Sequence, residues 1–285
     1  MLPDVIAILA IDAAWTDGEP SGVALVAGQH DDWRCLCVAP SYDAFLGCAS
    51  GAQVDWLSGR FRGTAPDMKK LLASARSIAG IEVTLIALDM PVATVPFASR
   101  RPADDAISKA FGGQGCSTHS PSAKRPGPLG SRIILELSDA GYPLATAADA
   151  VGTLGKVIEV YPHPALLGLV GRPYRVPYKV GKSCRYWPRV GRSERITRLL
   201  AEFTEIDRAL YSTLGQTRVP LPAPHEVSKL AALKRYEDAL DALVCAWVAI
   251  QYTTAAAAAY GDSTGAIWVP KSSRDFAGDG ALRHI

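Results

Sequence analysis

The 285-residue chain has no C-x-x-C pair, no Walker A motif and no H-E-x-x-H. Those absences argue against thioredoxin-type redox sites and zinc ribbons, P-loop nucleotide hydrolases and zincin proteases. Its apolar runs, such as "VIAILAI" and "VTLIAL", are far shorter than the roughly 20 residues that a membrane helix needs. In "MLPDVIAILAIDAAW" no basic stretch and no small-residue cleavage site precede the first acid, so the segment does not read as a signal peptide. No internal repeat is visible, which argues against a solenoid or a propeller. "GTLG" and "GQG" are too short to serve as nucleotide loops. The six cysteines stand apart, with Cys35 and Cys37 on one face of an expected strand. They read as buried free thiols, which fits a reducing cytoplasm.

What is present is ordinary in bulk and uneven in detail. Apolar residues make up 48% of the chain and charged residues 20%, as in globular proteins generally. A chain of this length buries a large core without staples. The net charge is only +2, yet nine basic residues between Arg172 and Arg198 face Glu194 alone, a local charge of +8. From Arg100 to Arg132 six basic residues face Asp104 and Asp105, a local charge of +4, which leaves the remainder at −10. An acidic body with two basic segments points to a local anionic partner.

Periodicity gives the order of elements. "DVIAILAID" (4–12), "IEVTLIALDMP" (81–91) and "GKVIEVYPHPALL" (155–167) read as buried strands. "SGVALVAG" (21–28) and "WRCLCVAPSY" (33–42) read as a hairpin beside the first strand. Helical spacing covers 42–59, 66–80, 129–142 and a stretch near 193–214, and one long helix is expected over about 226–259. "GAIWVP" is a last short strand, and residues 92–131 read as a long loop. Buried strands alternating with helices predict an α/β fold with a mixed sheet. The expected organisation is one domain over residues 1–270, with inserted loops at about 92–131 and 168–192 and a tail at 271–285.

In such sheets, sites gather at the carboxyl ends of strands. Asp12 ends "AILAID", Asp89 ends "LIALD", and Glu159 lies in the third buried run. A carboxylate there is costly unless paired, hydrogen-bonded or metal-bound; capping the next turn is the structural alternative. Asp238 and Asp241 share a helix face, with Glu237 one turn before Asp241. The residues that follow, Ala242, Leu243, Cys245, Ala246 and Val248, are apolar all round. A carboxylate in that setting needs a cation, either Lys234 or Arg235 or a divalent metal. Mg²⁺ or Mn²⁺ takes hard oxygen ligands together with substrate phosphate, and paired ions suit an in-line phosphoryl displacement.

The combination "AIDAAW", "ALDMP", "RRPADDAISKAFG", "VIEVYPHPALL", "YK" at 178–179, "EDALDALVCAWVA" and "GAIWVP" resembles the DUF429 family, whose members are described as ribonuclease H-like nucleases. "DALDAL" is also similar to the last-helix acid pair of Holliday-junction resolvases. The resemblance implies a ribonuclease H-like mixed sheet of a hairpin plus parallel strands flanked by helices. It implies Asp12, Asp89 and Asp238 or Asp241 as metal ligands, with Glu159 a further candidate.

The expectation is therefore a divalent-metal-dependent nuclease. Asp12, Asp89 and Asp241 bind metal, while Asp238 and Glu159 assist. His163, held between two prolines in "YPHP", is a candidate general acid or base. Arg101, Asp105, Lys179, Arg185 and Arg189 are candidates for holding substrate, the last two in a segment where Tyr174, Tyr178, Tyr186 and Trp187 interleave the basic residues as in single-strand binders. His119 and Cys116 in the long loop are a weaker pair. Two alternatives stand beside this one. The first is a nucleic-acid-binding or scaffold protein that keeps the fold without turnover. The second is a phosphotransferase of the actin and sugar-kinase type, which would need a duplicated core.

Overall fold

The first strand shows how the chain builds its layers. β1 (Ile6–Asp12) is buried along its length apart from its terminal acid. Alternate residues point to opposite faces of a strand. Ile6, Ile8 and Ala10 accordingly enter one core cluster, and Leu9 and Ile11 enter another. A strand apolar on both faces needs cover on both, and the chain supplies it. The computed structural model describes residues 5–271. Most of the tail expected at 271–285 lies outside the described residues.

β1 pairs antiparallel with β2 (Gly22–Gln29), which pairs antiparallel with β3 (Asp32–Ala39). On its other side β1 runs parallel to β4 (Leu85–Asp89), then come β5 (Lys156–Val160), β7 (Gly265–Pro270) and β6 (Ala257–Asp262). The seven strands form one mixed sheet in the order β3-β2-β1-β4-β5-β7-β6. A hairpin followed by parallel strands, flanked by helices, is consistent with a ribonuclease H-like fold.

One face is covered by α1 (Tyr42–Ala49), α2 (Met68–Ala79) and α4 (Pro128–Asp139). Caps fix their starts: the Ser41 hydroxyl accepts from Ala44 N at 3.2 Å and Asp67 accepts from Lys70 N at 3.0 Å. The other face carries α5 (Pro162–Leu169), α7 (Arg192–Leu214) and α8 (Lys234–Thr253). A short α6 (Ser183–Tyr186) lies between α5 and α7.

Four expectations change. The long loop at 92–131 contains α3 (Pro102–Phe111). Pro102 opens it, and the Asp104 carboxylate accepts from Arg101 N at 3.0 Å, closing its first turn. Ala103 and Ile107 bury against Ile267 and Val269. The third strand stops at Val160, because Pro162 and Pro164 suit the first turn of a helix, where amide donors have no partner anyway. The helix expected over 42–59 ends at Ala49. The last helix runs only from Lys234 to Thr253. Ala255 adopts a left-handed φ of 57°, the chain reverses, and the alanine run continues as β6 against β7. Alanine favours helix by propensity; sheet pairing overrides it.

Candidate functional site

The parallel register of β1 and β4 sets Asp12 directly opposite Asp89. Both half-buried carboxylates therefore emerge at the same edge of the sheet, and both line a cleft of ≈ 980 Å³. On its other side Asp12 pairs with Gly22 of β2. A Cβ at Gly22 would lie 2.0 Å from the Asp238 carbonyl oxygen. Only glycine lets α8 approach the sheet this closely, and that approach carries three more acids to the level of Asp12.

Glu237, Asp238 and Asp241 of α8 are all but inaccessible, at 2%, 2% and 0% exposure. Two ammonium groups stand among them. Lys234, one turn earlier on α8, contacts Asp238 and lies 3.0 Å from Glu237. Lys179 contacts Asp241 and lies 3.4 Å from Glu237. The Tyr178 hydroxyl donates to Asp241 Oδ1 at 2.6 Å, and Val180 N donates to Glu237 Oε2 at 2.6 Å. Residues 178–180 are thus strapped to α8 by acids that the helix buries. Asp238 Oδ2 is buried and has no hydrogen-bond partner.

Five carboxylates against two lysines leave an excess of negative charge, and the titration behaviour reflects it. Burial, followed by the charge of Asp12, holds Asp89 well above the usual carboxylate range, with Lys179 opposing. Burial likewise holds Asp238 well above that range against the pull of Lys234. Burial pushes Asp241 up to about 6, with Lys179 opposing and Asp12 reinforcing. Glu237 is the exception: against its burial, Lys179 and Lys234 pull it down.

The residues fit a divalent cation in a limited way. Among the described residues, no group of three or more His, Cys, Asp or Glu side chains is placed to hold a metal. Both oxygens of Asp241 are engaged, by Tyr178 and Lys179. Asp12 and Asp89 face the cleft, and the orphaned Asp238 Oδ2 is a buried carboxyl oxygen without a partner. One or two carboxylates completed by water and substrate phosphate are what Mg²⁺ takes. That donor set is present; a closed protein cage is not.

The other expected site residues divide. His163 is buried on the cleft wall; burial, then Lys179 and Arg175, hold it well below its ordinary value. It is therefore neutral near pH 7 and a poor proton carrier there. Glu159 is 3% exposed and bound by Arg101 through two contacts of 2.7 Å, while Val92 N donates to it at 3.2 Å. Arg101, expected to grip phosphate, spends its guanidinium on Glu159, Asp104 and Val92 O and is 5% exposed. These two acids and one arginine buttress the loop behind β4. Asp105 is exposed and paired with Arg100, and it is not part of the cleft wall. Lys179 lines the cleft but is held by the acids. Of the nine basic residues from Arg172 to Arg198, Arg172 and Arg198 are also ion-paired with glutamates. Arg185 and Arg189 are exposed and make no ion pair among the described residues.

Tyr178 and Gly22 do not stand out as site residues in the sequence. Tyr178 reads there as a base-stacking aromatic, and Gly22 as the start of a hairpin. The available signal is the hairpin beside the first strand, which brings Gly22 opposite Asp12. "GDSTG" (261–265) matches G-x-S-x-G, but it forms the turn of the β6–β7 hairpin. A nucleophile elbow needs a strand running into a helix, so the match has no such context.

Comparison with known proteins gives one match. Neither the curated proteins nor the solved structures contain a chain that this one matches. A family model described as "Protein of unknown function (DUF429)" matches residues 11–264, a span that reaches from just before Asp12 to the turn before β7 and includes every carboxylate of the cleft. The chain therefore belongs to the DUF429 family.

Proposed function

We propose that the protein hydrolyses phosphodiester bonds of nucleic acid in the Asp12–Asp89 cleft, with Mg²⁺ or Mn²⁺ as cofactor. The observation that carries this reading is the in-register pair at the ends of two adjacent parallel strands, met by a buried helix acid with an unpartnered oxygen. Asp12, Asp89 and Asp238 would hold the cation. When bound, a divalent ion there supplies Lewis acidity toward a phosphoryl oxygen and lowers the pKa of a coordinated water. Lys234 fixes the other oxygen of Asp238, and Tyr178 and Lys179 fix Asp241 beneath the cleft. Neutral His163 shapes the wall and packs edge-on against Tyr178 at 5.5 Å between ring centroids. Arg185, Arg189 and Arg192 are exposed and make no ion pair among the described residues, and they supply charge for a phosphate backbone.

The test is cleavage of end-labelled oligonucleotides, DNA and RNA, single- and double-stranded, with Mg²⁺ or Mn²⁺. Cleavage of at least one class is expected, and it should disappear with EDTA and with Asp12→Asn or Asp89→Asn. No cleavage of any class, or cleavage that survives Asp89→Asn, sinks the reading.

A second reading, nucleic-acid binding without turnover, draws on one observation. Lys179 and Lys234 already neutralise part of the cluster without a metal. Tight binding of an oligonucleotide that is never cleaved would favour it.

A further inference from the structure

The same cleft also holds cations that no carboxylate among the described residues contacts. Lys182 and His119 both line the cleft, with Lys182 Nζ 3.2 Å from His119 Nε2. Behind them Arg175 is half-buried. Its Nη1 donates to Gly115 O at 3.2 Å, its Nη2 contacts His163 Nε2, and its Nε is buried without a partner. Arg185 stands exposed beside them. None of Arg175, Lys182 and Arg185 makes an ion pair with a carboxylate among the described residues.

Their mutual repulsion is visible. Burial, then Arg175, Lys179 and Arg185, pull Lys182 down to about 8. Burial, then Lys182, Arg175 and Arg185, hold His119 below its ordinary value. Lys179 is already matched by Asp241 and Glu237. Of these groups Arg175 and Lys182 are half-buried, Glu237 only partly offsets the repulsion on Lys182, and half-buried cations without a carboxylate in contact are costly unless a ligand supplies one. Ser120 lines the same cavity and offers a neutral hydroxyl donor.

We infer that Lys182 and His119, backed by Arg175 and Arg185, form a subsite for a terminal phosphate of a nucleic-acid strand. This deepens the hydrolase reading and rests on it for the identity of the strand. The choice of a phosphomonoester follows from charge. An internal phosphodiester carries one negative charge, whereas a monoester carries about −1.5 to −2 near neutral pH. Lys182 in the cavity, backed by Arg175 and Arg185, none of them ion-paired with a carboxylate among the described residues, matches the dianion better. Asp12, Asp89, Lys182 and His119 line one cavity, so a strand anchored here by its end would present an adjacent linkage to Asp12 and Asp89. The substrate class is then a phosphorylated strand end rather than an uninterrupted duplex.

The experiment is calorimetric binding in EDTA, so no metal and no turnover enter. The probes are inorganic phosphate and trinucleotides bearing a 5′-phosphate, a 3′-phosphate or neither. Phosphate should bind, and one phosphorylated trinucleotide should bind on the order of tenfold tighter than the unphosphorylated one, as charge-assisted hydrogen bonds of this kind give. Lys182→Gln should erase that preference. His119→Ala, at an exposed position, should reduce it with the thermal unfolding temperature unchanged. Equal binding of all three trinucleotides, or phosphate binding unaltered in both variants, overturns the subsite. A phosphate preference in a protein that cleaves nothing would sink the hydrolase reading and leave the subsite standing.

Discussion

The ammonium of Lys179 rests on the carboxylate of Asp241, 62 residues further along the chain. Asp241 is fully buried, while the Lys179 side chain retains 21% of its exposure. Removing the cation strands a buried charge, which costs more than the intact pair contributes. Lys179→Met should destabilise the protein by about 3 kcal/mol, the low end for a broken buried pair because the lysine is partly solvated. Adding Asp241→Asn to that variant should recover part of the loss. Urea unfolding of both variants measures it; additive losses would show that the two residues are not coupled.

Asp89 gives a pH dependence with a definite sign. Its carboxyl is held well above the usual range by burial and by Asp12. A raised acid stabilises the fold fully only below its unfolded pKa, and that contribution is lost as pH rises toward the folded pKa. Asp89→Asn has no proton to lose. The stability of this variant relative to wild type, in EDTA, should therefore grow as pH rises from about 5 to about 8. Taking the difference cancels His163, whose lowered value acts with the opposite sign. A difference that is flat or shrinks with pH contradicts the crowding of Asp12 and Asp89.

Arg101 holds two acids at once, Glu159 and Asp104, all three at 5% exposure or less. Arg101→Ala should cost about 3–5 kcal/mol in chemical denaturation, because it leaves buried carboxylates unpaired. A loss below about 1 kcal/mol would match a surface pair instead and would return Arg101 to the candidates for holding substrate.

Gly22 sets the distance between α8 and the sheet. A Cβ there meets backbone atoms of Asp238 at 2.0 Å and 2.4 Å, and backbone cannot swing aside. Gly22→Ala should lower stability by about 1–3 kcal/mol, as overpacking does, and weaken Mn²⁺ binding by moving Asp238 away from Asp12. Thermal unfolding and a Mn²⁺ titration read the two effects. Unchanged metal affinity in a destabilised variant would detach α8 from the metal site.

Much of this was legible in the sequence because strand ends announce themselves. "AILAID" and "LIALD" place two acids at the close of apolar runs, and their parallel pairing brings Asp12 and Asp89 side by side. The acids of α8 stood out because the helix around them is apolar. What stayed hidden depends on partners distant in sequence. Glu159 looks equivalent to Asp89 along the chain, yet Arg101, 58 residues before it, turns it inward. The basic run reads as one nucleic-acid surface, but Lys179 folds back onto α8 and Arg172 onto Glu202 and Glu205. The alanines after Thr253 read as helix, and only the free edge of β7 makes them a strand.

The central claim is that the Asp12–Asp89 cleft takes a divalent cation, and calorimetric titration of metal-free protein with Mn²⁺ tests it most directly. Wild type should bind Mn²⁺ and release protons from the raised carboxyls as it does so. Asp89→Asn should bind at least about tenfold more weakly, the loss of one of two or three anionic ligands. Heat of binding equal in wild type and Asp89→Asn, or none in either, would contradict the account.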